Sequence, residues 1–117
     1  MAGFTIYHNP RCSKSRLTLA LLREKGVEPE VVEYLKEPPS LDTLRELNAK
    51  LGKEPREWIR TGEKLFNEVG LSKKDDRLED EWLQIMADYP ILIERPVVVR
   101  GDKAVLGRPP ENVLGLL

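Results

Sequence analysis

The chain reads as an α/β fold: strand, helix, strand, then a helical middle, then a strand pair and a closing helix. Three observations predict it. Phe4-Thr5-Ile6-Tyr7 and Val31-Val32-Glu33-Tyr34-Leu35 are β-prone runs flanking a leucine-rich helical pattern. Residues 40–90, approximately, carry helical periodicity with proline and glycine breaks. Val97-Val98-Val99 and Lys103-Ala104-Val105-Leu106 flank a Gly-Asp reversal. A strand-helix-strand start implies a right-handed parallel crossover, and a hairpin adds antiparallel neighbours, so the sheet is expected to be four-stranded and mixed. With 117 residues the chain is long enough for one core without metals or disulfides. A single domain over 1–117, with the helical insert inside it, is the expectation.

Taken in order, Asn9-Pro10 stops the first strand and opens a loop that delivers Cys12. Ser13 to Lys25 forms the first helix, with Leu17, Leu19, Leu21 and Leu22 at helical spacing and Gly26 as its stop. After Pro38-Pro39, Ser40 is placed to cap a helix whose stripe is Leu41, Leu44, Leu47 and Leu51, ending at Gly52. A broken helical segment runs from Pro55 through Trp58 and Ile59 to Gly70. Leu78, Trp82, Ile85, Met86 and Tyr89 share the face of a further helix that Pro90 terminates. Gly101-Asp102 suits a tight hairpin. Pro109-Pro110 opens a last helix carrying Val113, Leu114 and Leu117.

Charged residues make up 33% of the chain, yet they nearly cancel at a formal charge of −1. No global field points to nucleic acid or an anionic membrane surface. The apolar start is too short for a signal or membrane segment, and the one cysteine cannot form an internal disulfide. A cytoplasmic, reducing setting and a monomer are expected. A metal centre is not, because Cys12 and His8 are the only soft ligands present and zinc ordinarily takes three or four.

Cys12 lies at a strand-to-helix junction in His8-Asn9-Pro10-Arg11-Cys12-Ser13-Lys14-Ser15-Arg16. Free N–H groups at a helix start and nearby cations favour a thiolate over a thiol. Arg11, Lys14 and Arg16 supply the cations, Ser13 and Ser15 supply hydroxyls, and the loop can hold an oxyanion beside the sulfur. His8 is placed to support the anion or move a proton. The plainer alternative is a buried cysteine acting as small apolar filler, against which three adjacent cations argue.

With these elements placed, the chain resembles the arsenate reductase family of the glutaredoxin-linked type. The resemblance rests on the cysteine loop, on Tyr34-Leu35-x-x-Pro38-Pro39, on Arg60-x-x-Glu63 leading to Gly70-Leu71, on Pro90-Ile91-Leu92-Ile93-x-Arg95-Pro96-Val97-Val98-Val99, and on Arg108-Pro109. It implies a thioredoxin-like fold with an inserted helical subdomain. It also implies reduction of arsenate to arsenite, with glutathione as co-substrate, glutaredoxin as partner and no bound cofactor. By motif, Cys12 matches the nucleophile, and Arg60, Arg95 and Arg108 match anion-binding arginines. His8 matches a residue assisting thiolate formation. Ser13, Ser15, Arg16 and Pro96, expected in cis, complete the substrate-binding set.

Guanidinium forks bind oxyanions while keeping their charge, so they can screen a tetrahedral anion from an incoming thiolate. Without a second cysteine, resolving electrons must come from external thiols. Two other functions compete. One is a glutathione-dependent thiol oxidoreductase of another substrate. The other is an Spx-type regulator that binds RNA polymerase; such switches carry Cys-x-x-Cys, whereas Ser15 occupies the second position here.

Overall fold

The four strands form one mixed sheet in the order β2-β1-β3-β4: β1 is Phe4–His8, β2 Glu30–Glu33, β3 Val97–Arg100 and β4 Lys103–Leu106. β1 pairs parallel with β2 and antiparallel with β3, which pairs antiparallel with β4. The computed structural model describes residues 3–117. It divides into two compact units, one made of the chain up to Glu37 together with Arg95–Leu117, the other Pro38–Glu94.

The first unit holds the sheet and α1 (Ser13–Glu24). Its core is Ile6, Leu22, Val98, Val113 and Leu116, with Phe4, Leu19, Leu21, Val27 and Val105 packed against it. Register explains part of the set: Ile6 stands opposite Val98 on β3, and Val98 stands opposite Val105 on β4. Gly101 turns the hairpin with φ 62°, at the position where a type II′ turn requires glycine. Arg100 lies over the Phe4 ring at 4.9 Å and donates to the Leu116 carbonyl, tying β3 to the C-terminal segment.

Two expectations fail here for physical reasons. The first helix buries Ser15, Thr18 and Leu22, whereas Leu17 is 54% exposed. Ser15 and Thr18 turn inward because their hydroxyls find partners there, so the helix is oriented by hydrogen bonds as well as by leucines. The closing segment Pro110–Leu116 is a 3₁₀ helix. Three residues per turn put Pro110, Val113 and Leu116 on one buried face, leaving Leu114 and Leu117 exposed.

The second unit contains α2 (Leu41–Leu51), a 3₁₀ turn at Pro55–Glu57, α3 (Lys64–Glu68), α4 (Glu79–Asp88) and a 3₁₀ turn at Pro90–Leu92. Ser40 caps α2 by accepting from the Thr43 N–H, and Gly52 ends it with φ 65°. Leu78 is 73% exposed at the start of α4, outside the face carrying Trp82, Leu83 and Met86. Its position before the first helical residue removes it from the stripe. A polar chain crosses this interior: Trp58 Nε1 donates to Asn48 Oδ1 at 2.8 Å, and Asn48 Nδ2 donates to Glu79 Oε1 at 2.6 Å. Among the described residues, no helix is long and apolar enough to cross a membrane.

Candidate active site around Cys12

β1 is an inner strand, so the loop at its C-terminal end has the end of β2 on one side and the start of β3 with the end of β4 on the other. Cys12 sits on this loop, partly exposed, as the residue immediately before α1. Its N–H donates to the Asn9 carbonyl at 3.0 Å, and its carbonyl accepts from Arg16 N–H, the first bond of the helix. The N–H groups of Ser13, Lys14 and Ser15 precede that bond and so lie outside the helical ladder. The sulfur makes no capping bond to them. Donors and sulfur therefore stand together at the head of the helix.

On the β4 side, Arg108 Nη1 lies 3.9 Å from Cys12 Sγ and 3.4 Å from the Arg95 carbonyl. Both Arg95-Pro96 and Arg108-Pro109 are cis peptide bonds. Gly107 N–H donates to the Pro96 carbonyl, and the Gly107 carbonyl accepts from Thr18 Oγ1. A side chain at Gly107 would come within 2.6 Å of Thr18 Oγ1 and 2.7 Å of Pro96 Cγ. Glycine is needed there because α1, the Pro96 turn and the end of β4 meet with no room for a methyl group. That meeting point fixes the chain one residue before Arg108.

On the β2 side, His8 is 6% exposed and its Nδ1 is 2.6 Å from Ser15 Oγ, which also accepts from Asn9 N–H. A short contact thus joins the Ser15 hydroxyl to the imidazole at Nδ1, and the tautomer of the ring decides which of the two donates. Burial holds His8 below its ordinary pKa; Glu33 opposes this shift, and Arg23 and Arg16 add to it. Asn9 Oδ1 accepts from Arg11 N–H, and Arg16 Nη1 donates to the Pro10 carbonyl, so the loop is closed by its own polar groups.

The structure gathers His8, Cys12, Ser13, Ser15, Arg16, Arg95, Pro96 and Arg108 in the sheet unit. Arg60 belongs to the inserted unit, where its Nε pairs with Glu63 at 3.2 Å and its Nη1 with Glu94 at 3.2 Å. Thr18 and Gly107 were not singled out from the sequence. A glycine between a β run and Arg-Pro was the available signal. Among the described residues, no group of three or more His, Cys, Asp or Glu is placed to hold a metal ion.

A model of the ArsC family matches residues 7–116. Arsenate reductase from Neisseria meningitidis is 44% identical over 118 residues, covering all of both chains. The uncharacterized protein YfgD of Escherichia coli K12 is 54% identical over 114 residues, covering 96% of this chain and 94% of that one. The solved arsenate reductase from Vibrio cholerae superposes with a TM-score of 0.92 at 46% identity, covering 99% and 98% of the two chains. The thioredoxin-like α/β fold expected from the resemblance is shared with these neighbours. A match that leaves out only a few terminal residues, carried by relatives of this identity, makes the chain a member of the ArsC family.

Proposed function

We propose that this chain reduces arsenate to arsenite through a covalent adduct on Cys12. The observation that carries the reading is the contact of Arg108 Nη1 with Cys12 Sγ at 3.9 Å, at a helix start whose sulfur caps nothing. A guanidinium beside the sulfur offers a fork to the oxygens of an approaching anion. The first-turn N–H groups supply further donors where charge develops. The names of the related reductases support arsenate as that anion.

In the proposed sequence the Cys12 thiolate attacks arsenic, forming an S–As bond. One As–O bond breaks and its oxygen leaves as water after taking up two protons; arsenic stays pentavalent. A glutathione thiolate then attacks Cys12 Sγ. The S–S bond forms, the S–As bond breaks, and its electron pair stays on arsenic, which departs as arsenite. Glutaredoxin attacks the glutathione sulfur of the mixed disulfide and releases the Cys12 thiolate. Ser15 cannot do this internally, because it carries a hydroxyl already bonded to His8 and Asn9. Arg95, Pro96, Ser13 and Arg16 frame the anion in this reading, and Arg60 enters it by motif alone.

The test is arsenate-dependent oxidation of glutathione with glutaredoxin supplied. Native chain is expected to turn over and Cys12→Ser to show none. Undiminished turnover by Cys12→Ser would sink the adduct.

A further inference from the structure

α1 carries two stripes. Ser15, Thr18 and Leu22 are buried in the sheet unit. Lys14, Leu17, Leu21 and Glu24 instead line an open groove of about 410 Å³, to which Pro109 and Pro110 add an apolar wall. Leu17 is 54% exposed there, and Leu21 rests one side on the core and turns the other to the groove. Lys14 and Glu24 are exposed and take part in no ion pair among the described residues, whereas the neighbouring Arg23 is matched by Glu28. Each also stands at the unfavourable end of the helix, because a cation in the first turn and an anion in the last oppose the macrodipole. Glu24 in particular gains the helix nothing and meets no cation of its own chain among the described residues.

The outer stripe has a symmetry of its own. From Lys14 the steps to Leu17, Leu21 and Glu24 are three, four and three residues, so read backwards it has the same spacing with the charges exchanged. On a helix these steps keep the four side chains on one face, at the spacing of a coiled-coil seam. A second such helix laid antiparallel on the first meets leucine with leucine and, at both ends, lysine with glutamate. That is the condition for a two-fold contact, in which one patch serves both partners. Within one chain the two charges stand about 15 Å apart along the axis and cannot pair. We propose that this face is the contact between two copies of the chain, with α1 antiparallel to α1 about an axis between Leu17 and Leu21. Leu17 of each copy packs on Leu21 of the other, and two Lys14–Glu24 pairs close the ends. Ala20, small and exposed beside the stripe, lets the helix axes approach to about 8–10 Å. One helix pair with the proline wall is a small contact, so the dimer is weak and the chain is monomeric when dilute.

Sedimentation equilibrium of the native chain from about 10 μM to 1 mM is expected to show monomer giving way to dimer. Leu17→Glu should abolish the dimer while the melting temperature stays close to native, since the position is exposed. Glu24→Lys and Lys14→Glu each set like charges against one another at both ends and should each weaken association about tenfold or more. Both changes improve the match to the helix dipole, so the weakening cannot come from a weakened helix. The two changes made in one chain should restore the native affinity. Mixing the two single variants should give a mixed dimer tighter than either variant forms alone, because its end pairs are again opposite in sign. A chain that stays monomeric to about 1 mM, a dimer indifferent to Leu17→Glu, or a double exchange that binds no better than the single ones would overturn the assignment.

Discussion

The cations around Cys12 and three arginines of the inserted unit, Arg45, Arg60 and Arg77, are the same kinds of side chain put to opposite uses, while the unit's Arg56 donates to the Lys73 carbonyl. In Pro38–Glu94, Arg45 is held by Asp42 and Asp80, Arg60 by Glu63 and Glu94, and Arg77 by Asp75 with the Trp82 ring beneath it. Beside Cys12, Arg11 and Lys14 have no carboxylate partner among the described residues, and Arg16 donates to a backbone carbonyl. A nearly neutral chain thus keeps an excess of positive charge at one loop by pairing its charges elsewhere. Cations already matched by carboxylates hold the fold, and the unmatched ones remain available to an anion from solution.

The sharpest way to break that contrast is Arg108→Ala. Loss of a donor aimed at developing charge is expected to lower turnover about 10²–10³-fold. Because the side chain is exposed, thermal stability should stay close to native. Equal losses of stability and rate would make Arg108 a structural cation like those of the insert. Asn48→Ala asks the complementary question in the other unit. It strands the buried Trp58 Nε1, at a cost of about 1–3 kcal/mol in unfolding free energy, measured by urea titration. Alkylation of Cys12 by iodoacetamide should keep its native rate in the variant that remains folded.

Gly107→Ala sharpens the comparison from the site's own scaffold. The added methyl group overpacks against Thr18 and Pro96, an effect of about 1–3 kcal/mol. It also displaces Arg108, so turnover should fall by more than the change in folded population explains. If activity per folded molecule were unchanged, the Gly107 contact would have no part in aiming Arg108.

A smaller effect comes from His8. Its pKa is lowered in the folded chain, so as pH falls below about 6.5 the unfolded chain takes up a proton that the folded one resists. Its contribution to stability is therefore complete above that pH and is lost on acidification. Urea midpoints at about pH 7.5 and pH 5.5 should converge more in His8→Gln than in the native chain. An identical drop in both would assign the acid sensitivity to carboxylates.

Much of the scaffold was legible because its signals are local. Ser40 and Gly52 mark the ends of α2 by their own chemistry, and Gly101-Asp102 specifies a two-residue turn between strands of matching length. The orientation of α1 was not legible. Leucine spacing favours one face, but partners distant in sequence, His8 seven residues back and Gly107 at the end of β4, draw Ser15 and Thr18 inward. The closing 3₁₀ segment escaped for a related reason: α and 3₁₀ periods differ by too little to separate over seven residues. Arg108 near the sulfur was expected from motif alone, since it lies 96 positions further along the chain and no periodicity links the two.

The bare start of α1 has one more consequence. Serine or aspartate at such a position ordinarily bonds to the N–H groups that follow and strengthens a helix by about 0.5–2 kcal/mol, and Cys12 forgoes this. The inert variants Cys12→Ser and Cys12→Asp should therefore melt at higher temperature than the native chain. A protein that becomes sturdier when its nucleophile is removed has traded robustness for reactivity at a single atom.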